Sequence, residues 1–432
     1  MYENLILGAG IGGLSLATLL DEPSLILEKE ETAGGLCRSF DFQGIHYDIG
    51  PHIIFSKHKE VLDLHNSMVN VGFHERLNRI LVSNKYVKYP FENHLGQLPD
   101  SDREMCLSEF LSNPYKTVDA SNMQQFFLSK FGEGMTDLYF APYNKKIWKF
   151  DTSALDLQMV ERIPDPPAED IVNGAKGEFK EGYTHQLQFS YPSEGGFQTI
   201  VDEYQRRAIS RGTQVKLNEC VIKISQGKDG WNVQTKNQIF TTRRLISTIP
   251  LPNLIQLLPD VPQSVLDTSE ELKFNSIHIV MLQFEKDRLT DQFALYIPDS
   301  EVIFHRLSRL NFLGDAYGGN SDVFNVMLEV TFRPGSYLAS LSSEDILEKC
   351  LLGLEKLEIA KRDELLASEI RTFDHAYVIY DLNHRKNVDT LLKYVTSRGV
   401  VCHGRFGKFE YQNSDQVVKD SIDLANQINT TS

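Results

Sequence analysis

The stretch MYENLILGAGIGGLSLATLL, Met1–Leu20, decides how the rest of the chain is read. Leu5, Ile6 and Leu7 form an apolar run short enough for a buried parallel strand, and Leu14 to Leu20 has helical spacing. Between them stand Gly8, Gly10 and Gly13. In a strand–turn–helix unit the first glycine permits a tight turn, the second lets the backbone approach a pyrophosphate, and the third lets the helix pack on the strand. The helix start then faces the diphosphate charge. A second apolar run, Leu25 to Leu27, ends in Glu28, twenty residues after Gly8, where a carboxylate can accept from ribose hydroxyls. Strand, turn, helix and acid in this order predict a dinucleotide-binding α/β unit rather than a chance glycine-rich turn.

The text that follows is EKEETAGGLCRSFDFQGIHYDIGPHIIF, residues 28–55. A second glycine pair, Gly34-Gly35, lies at loop distance from the acid, and Arg38 offers a cation near the phosphates. The spacing from Gly8 through Arg38 to Gly50-Pro51-His52 resembles the FAD-binding half shared by amine oxidases, protoporphyrinogen oxidases and sugar-nucleotide mutases. A plain NAD-binding domain would not require it.

Farther along, Met123, Phe126, Phe127 and Phe131 recur at helical intervals behind Asp119 and Ser121 as possible caps, so residues 67–192 are read as an inserted helical domain. The α/β pattern restarts at YPSEGGFQTI. QVKLNECVIKI, GWNVQT and QIFTTRRLISTIP read as strands, with Gly227 to Gly230 a turn. Residues 251–395 carry the strand-like runs SIHIVMLQF, FALYIP and VFNVMLEVTF, which suggest an antiparallel sheet forming the substrate domain. The chain closes with a strand, a glycine turn and a helix capped at Asn413-Ser414-Asp415. The expected fold is α/β: a Rossmann-type FAD-binding domain from 1–66, 193–250 and 396–432, a helical substrate domain at 67–192, and an antiparallel sheet domain at 251–395.

Composition narrows the function classes. The 432 residues carry 44 Lys plus Arg against 59 Asp plus Glu, a formal charge of -15. That field repels duplex nucleic acid, so an anionic ligand must be met by a local cluster of cations. The five cysteines are an odd number without a CxxC pair and read as reduced thiols of a cytoplasmic protein. No apolar run reaches the ~18 residues of a membrane span, and no metal site is expected.

Five stretches then point the same way: DIGPHIIFSK, YPFENHLGQLP, FGEGMTDLYFAPYNKKIW, YPSEGGFQTI and GRFGKFEYQNSD. Together they resemble the UDP-galactopyranose mutases, the longer eukaryotic type in particular, along nearly the whole chain. The resemblance implies an FAD enzyme, active in the reduced form, that interconverts pyranose and furanose forms of a nucleotide-linked sugar by attack of flavin N5 on the anomeric carbon. NAD(P)H is one candidate reductant, and galactofuranose for cell-surface polysaccharide the expected product. The alternative is an oxidoreductase of the amine oxidase or protoporphyrinogen oxidase type.

By the same resemblance, Arg162 and Arg306 look like the pair that neutralises the leaving diphosphate, and His52 like the histidine that faces the flavin. Tyr296, Tyr377 and Tyr411 look like substrate-binding phenols, with Tyr89, Glu92, Tyr139, Phe140, Asn144, Trp148 and Gln186 bordering the nucleotide and sugar. The cofactor set implied is Gly8, Gly10, Gly13, Glu28, Gly35, Leu36, Arg38, Gly50, His52, Val221, Arg405, Asn413 and Ser414. This chain departs from the pattern at Pro51, where the family has glycine, at Glu92, where a glutamine is usual, at Tyr139-Phe140 beside the base, and at Gln186, where an asparagine is expected. Proline fixes φ and removes an N–H, so a loop motion coupled to flavin reduction is less free here.

Overall fold

The computed structural model describes residues 1–432 apart from positions 162, 164–165, 180–186, 290, 320–321 and 432. Two seven-stranded sheets organise it. The first is built on Tyr2–Leu7, an apolar strand that pairs in parallel with Ser24–Leu27 on one side and Ile239–Ser247 on the other. Gln214–Lys216 extends it beyond Ser24–Leu27, and Val400–Cys402 lies in parallel along the far end of Ile239–Ser247. The hairpin Val221–Gly227 with Gly230–Thr235 completes it, its turn closed where Gly227 opposes Gly230. The strands therefore come from three separate stretches of chain. Every residue of Ile11–Ala17 is buried between this sheet and its neighbours, and Leu14, Ile200, Val201, Val417 and Val418 share one apolar cluster with Ile6 and Ile26. Strands covered by helices read as continuous apolar runs, and Leu5-Ile6-Leu7 is such a run.

The second sheet runs Leu365–Ile379, Lys273–Phe284, Phe324–Phe332, Arg306–Arg309, Ala294–Tyr296, Asn78–Val82 and Lys85–Lys88 in spatial order. It is antiparallel except where Ala294–Tyr296 meets Asn78–Val82. Two of its strands thus come from within the 67–192 stretch, joined through Ser83 and Asn84, both at positive φ as a two-residue hairpin turn requires. A third strand of that stretch, Val71–Glu75, pairs with a fourth, Gln188–Pro192. Its helices include Asp100–Leu111, Met123–Met135, Ala141–Trp148 and Ala168–Ala175. The cap of Met123–Met135 is Asn122, whose side chain accepts from the Gln125 amide at 3.0 Å; Ser121 instead binds the Gln125 side chain, and Asp119 lies farther out. Among the described residues no helix is long and apolar enough to cross a membrane.

Candidate functional site

One cleft of about 1890 Å³ lies between the two sheets and collects most of the residues singled out above. At its first end Gly8, Gly10, Gly34 and Gly35 line the wall. Gly10 and Gly35 face each other: a Cβ on Gly10 would meet only Gly35 Cα, at 4.0 Å, so the two open a backbone-lined groove. The first amides of a helix have no intrahelical acceptor, and here Ile11 and Gly12 border the same groove. Glu28 ends the second strand there, its carboxylate accepting from Ala9 N at 2.8 Å and Glu30 N at 3.0 Å. A carboxylate has about four lone-pair sites, so two remain for hydroxyl donors. Arg38 is held by Gly35 O at 2.9 Å and Glu30 at 3.3 Å. Leu36, Val221, Asn413 and Ser414 also line this end. Gly13 does not; it lies under the turn, where the helix meets Gly8 and Ile6. A groove edged by backbone, closed by an acid and flanked by an arginine fits the dinucleotide part of a flavin.

At the other end the wall is the antiparallel sheet, and register explains which side chains meet. Tyr296 is directly opposite Arg306, and Arg306 directly opposite Glu329. The same row continues through Ile279 to Arg371. Directly opposed residues share a face, so side chains 10 and more positions apart converge at the cleft. Arg306 donates through Nε to Glu329, which is fully buried, and no other hydrogen bond of Arg306 is found among the described residues. The Tyr377 hydroxyl donates to the second Glu329 oxygen at 3.4 Å. Burial works against the Arg306 charge; Glu329 and the nearby phenols outweigh it and keep the guanidinium firmly protonated. Burial and then Glu329 push the Tyr377 phenol up, so it remains a donor. His305, next to Arg306, is held neutral by burial and by the neighbouring cations.

Three further groups complete this end. Arg405 donates to Ala376 O at 2.6 Å and Gln412 O at 3.3 Å, and its guanidinium lies 4.4 Å from the Tyr411 ring centre and 5.5 Å from that of Tyr377. Trp148 packs edge-on against Tyr377 and Tyr411, both at 5.6 Å. The loop at Gly50 lies against the ion pair: a Cβ at Gly50, which has φ +76°, would come within 3.2 Å of Arg306 Nη2 and 3.3 Å of Glu329 Oε2. His52 follows it and lines the cleft, its pKa lowered by burial, with Asp48 opposing and Arg405 and Arg306 adding to the shift.

Tyr89 and Tyr296 line the cleft as expected from the sequence, with the Tyr296 hydroxyl accepting from Asn78 at 2.8 Å. Glu92, Tyr139, Phe140, Asn144 and Trp148 do not reach its surface; the helical turns of 91–97 and 136–148 direct them into the wall behind it. Phe140 stacks on Phe131 and Phe127 in the core, and Asn144 bridges Phe140 O and the Trp148 indole. Arg162 and Gln186 lie outside the described residues.

The sequence reading missed Glu329, Asp48 and Arg371. Glu329 had a signal: it is the single charged residue in FNVMLEVTF, a strand whose nine residues are all buried. Asp48 is 2 % exposed and accepts from Ser39 at 2.6 Å, Tyr191 at 2.7 Å, Phe197 N at 3.0 Å and His52 N at 3.2 Å, fixing the loop that carries Gly50 to His52. Arg371 had no local signal; only the strand register aligns it with Arg306.

Comparison with known proteins agrees with this fold. A family model for flavin containing amine oxidoreductase matches residues 11–382. A UDP-galactopyranose mutase of Mycoplasma genitalium is 24% identical over 214 residues, 43% of this chain and 50% of that protein. An all-trans-retinol 13,14-reductase of Danio rerio is 39% identical over 73 residues, 16% of this chain and 12% of that one. The chain thus spans half or less of the length of these curated relatives. Among solved structures, a reduced UDP-galactopyranose mutase superposes with a TM-score of 0.91 at 23% identity, covering 100% of this chain and 94% of the other.

Proposed function

We propose, from the premise that the chain belongs to the flavin-containing amine oxidoreductase family, that it is an FAD-dependent isomerase interconverting the pyranose and furanose forms of a nucleotide-linked sugar, UDP-galactopyranose or a relative. The observation that carries this reading is the Arg306–Glu329–Tyr377 set, a buried carboxylate fixing a cation and a phenol in the same cleft as the glycine-lined groove. Gly10, Gly35, Glu28, Arg38 and the start of the last helix would hold the FAD. When bound and reduced, it supplies a nucleophile at the anomeric carbon and is recovered at the end of the cycle without net redox change.

The chain's own residues have the remaining tasks. With Nε committed to Glu329, Arg306 presents its terminal nitrogens in a fixed orientation, which suits a departing diphosphate better than a mobile lysine would. Tyr377 donates to Glu329 and can redirect its hydroxyl to a phosphate oxygen. Tyr411 adds a second phenol, and Arg405, lying over its ring, a cation on the flavin side. Trp148 backs both tyrosines and limits the water that reaches them. The neutral ring of His52 adds no charge to compete with the arginines for the diphosphate. Arg162 is proposed from the sequence as the second diphosphate cation and Gln186 as a sugar contact.

The test is to reduce the flavin-loaded protein with dithionite and incubate it with a panel of nucleotide sugars, analysing products by chromatography. The proposal expects a furanose product from UDP-galactopyranose or a close relative with no stoichiometric use of reductant. Hydrogen peroxide, or NAD(P)H consumption matched to product, would instead establish an oxidoreductase of the amine oxidase type.

A further inference from the structure

A second pocket, of about 370 Å³, opens away from the large cleft and is lined by Lys145, Lys149, Phe150, Asp151, Arg333, Ser336, Tyr337 and Leu338. Three cations against one carboxylate is an unusual concentration in a chain of net charge -15. Lys145 is paired with Asp151 at 2.9 Å. Lys149 and Arg333 have no carboxylate partner among the described residues, which leaves two uncompensated cations. The Arg333 guanidinium instead lies over Phe150, its Cζ 4.0 Å from the ring centre. Ser336 adds a buried hydroxyl with no hydrogen-bond partner among the described residues, and the Tyr337 ring, 66% exposed, forms one flank.

A plainer account covers part of this cluster. Lys145 and Lys149 stand at the C-terminal end of the helix Ala141–Trp148, where cations are favoured by the helix dipole. That account does not reach Arg333, which comes from the residue after the strand Phe324–Phe332, nor the buried Ser336 hydroxyl. Lys149 itself ends that helix in the left-handed conformation, at φ +58°, and lines the pocket.

We propose that this pocket is a second binding site, separate from the cleft, for a phosphate dianion, either free or carried on a small aromatic molecule. Lys149 and Arg333 supply the charge, Ser336 a hydroxyl donor, and Tyr337 an apolar face for an attached ring. The two cations sit at the ends of the elements that carry Trp148 and Glu329. A dianion held between them therefore ties together two parts of the wall of the large cleft, already joined where Thr331 donates to Lys146 O at 3.3 Å.

Calorimetric titration of the flavin-loaded protein with inorganic phosphate, and separately with phenyl phosphate, tests this. Because phosphate can also enter the large cleft, the titrations are repeated on Arg306→Lys, Arg333→Gln and Lys149→Asn; asparagine tolerates the left-handed backbone at position 149. The proposal expects a saturable phosphate site that persists in Arg306→Lys and weakens by at least ~10-fold in Arg333→Gln and in Lys149→Asn, each of which loses a charge-assisted donor. Tighter binding of phenyl phosphate than of phosphate supports an aromatic carrier, and equal binding supports the free ion. Absence of saturable binding, or an affinity unchanged in both pocket variants, overturns the proposal.

Discussion

The two ends of the large cleft are made in different ways. The glycine-lined end is made of backbone: glycines that leave a groove, amides at a helix start and one carboxylate, nearly all within the first 38 residues. The other end is made of side chains drawn from residues 296, 306, 329, 377, 405 and 411, brought together by strand register and by a buried ion pair. A backbone-made site depends on local conformation and fails when a Cβ is added. A side-chain-made site depends on long-range packing and fails when a partner is removed. The difference predicts that the ends can be damaged separately.

The largest effect is expected from Gly13→Ala. A Cβ there would lie 2.2 Å from Gly8 O and 3.2 Å from Ile6 Cγ2, so the helix must move off the strand. Loss of about 3 kcal/mol of stability and of bound flavin is expected, read by thermal denaturation and by the flavin absorbance that remains after gel filtration. Retained flavin at wild-type stability would mean that the close contact of helix and strand at Gly13 does not set the groove.

Next comes Arg306. Sequence reasoning alone expects Arg306→Ala to fold normally and lose at least ~100-fold in kcat/KM. The structure adds a cost: Glu329 is then left fully buried without its cation, and breaking such a pair costs about 3 kcal/mol. Arg306→Lys keeps a charge beside Glu329, so it should fold near normally and show an intermediate rate. Both variants should still bind flavin. If Arg306→Ala were as stable as wild type, the ion pair would not organise this end.

Acid should weaken both ends together, because burial lowers His52 and His305 beside Arg306 as well. His65, His384 and His403 are each brought down to about 4, chiefly by burial; His65 and His403 bond Tyr204 and Ser421 on helices against the first sheet, and His384 bonds Phe409 O between Arg405 and Tyr411. A histidine at about 6.5 when unfolded binds more protons in the unfolded chain between those two values, so stability falls as pH drops from about 6.5 towards 4. Each contributes a slope of up to about 1.4 kcal/mol per pH unit in that window. Melting temperatures measured from pH 7 to 4.5 should fall together with flavin retention, and His65→Gln should flatten the profile.

The smallest effect concerns Pro51. Pro51→Gly restores the glycine of the mutase pattern and loosens a loop that Asp48 already holds through His52 N. A loss of about 0.5–1 kcal/mol is expected, with flavin binding unchanged. A larger loss would make the proline itself a structural element of the Arg306 end.

How much was legible in the sequence follows from the same contrast. Gly8, Gly10, Glu28 and Gly35 could be placed because strand, turn and helix signals are local. The antiparallel sheet could be anticipated from its apolar runs. Its register could not, because no local pattern says that residue 329 lies across from 306 or that 371 shares their row. The hairpin at 78–88 was hidden for a related reason: two short strands inside a helical stretch carry little periodic signal, and their pairing with Ala294–Tyr296 is a tertiary choice. Tyr139, Phe140 and Asn144 illustrate the reverse, where a matching motif named the neighbourhood but not the direction in which each side chain turns.

The central claim is that the Arg306 end is a diphosphate site built beside a flavin groove. Calorimetric titration of UDP into flavin-loaded wild-type and Arg306→Lys protein tests it most directly. The account predicts saturable binding to the wild type, weakened at least ~10-fold in Arg306→Lys while flavin occupancy stays the same. Equal affinity in the two proteins, or no binding to either, would contradict it.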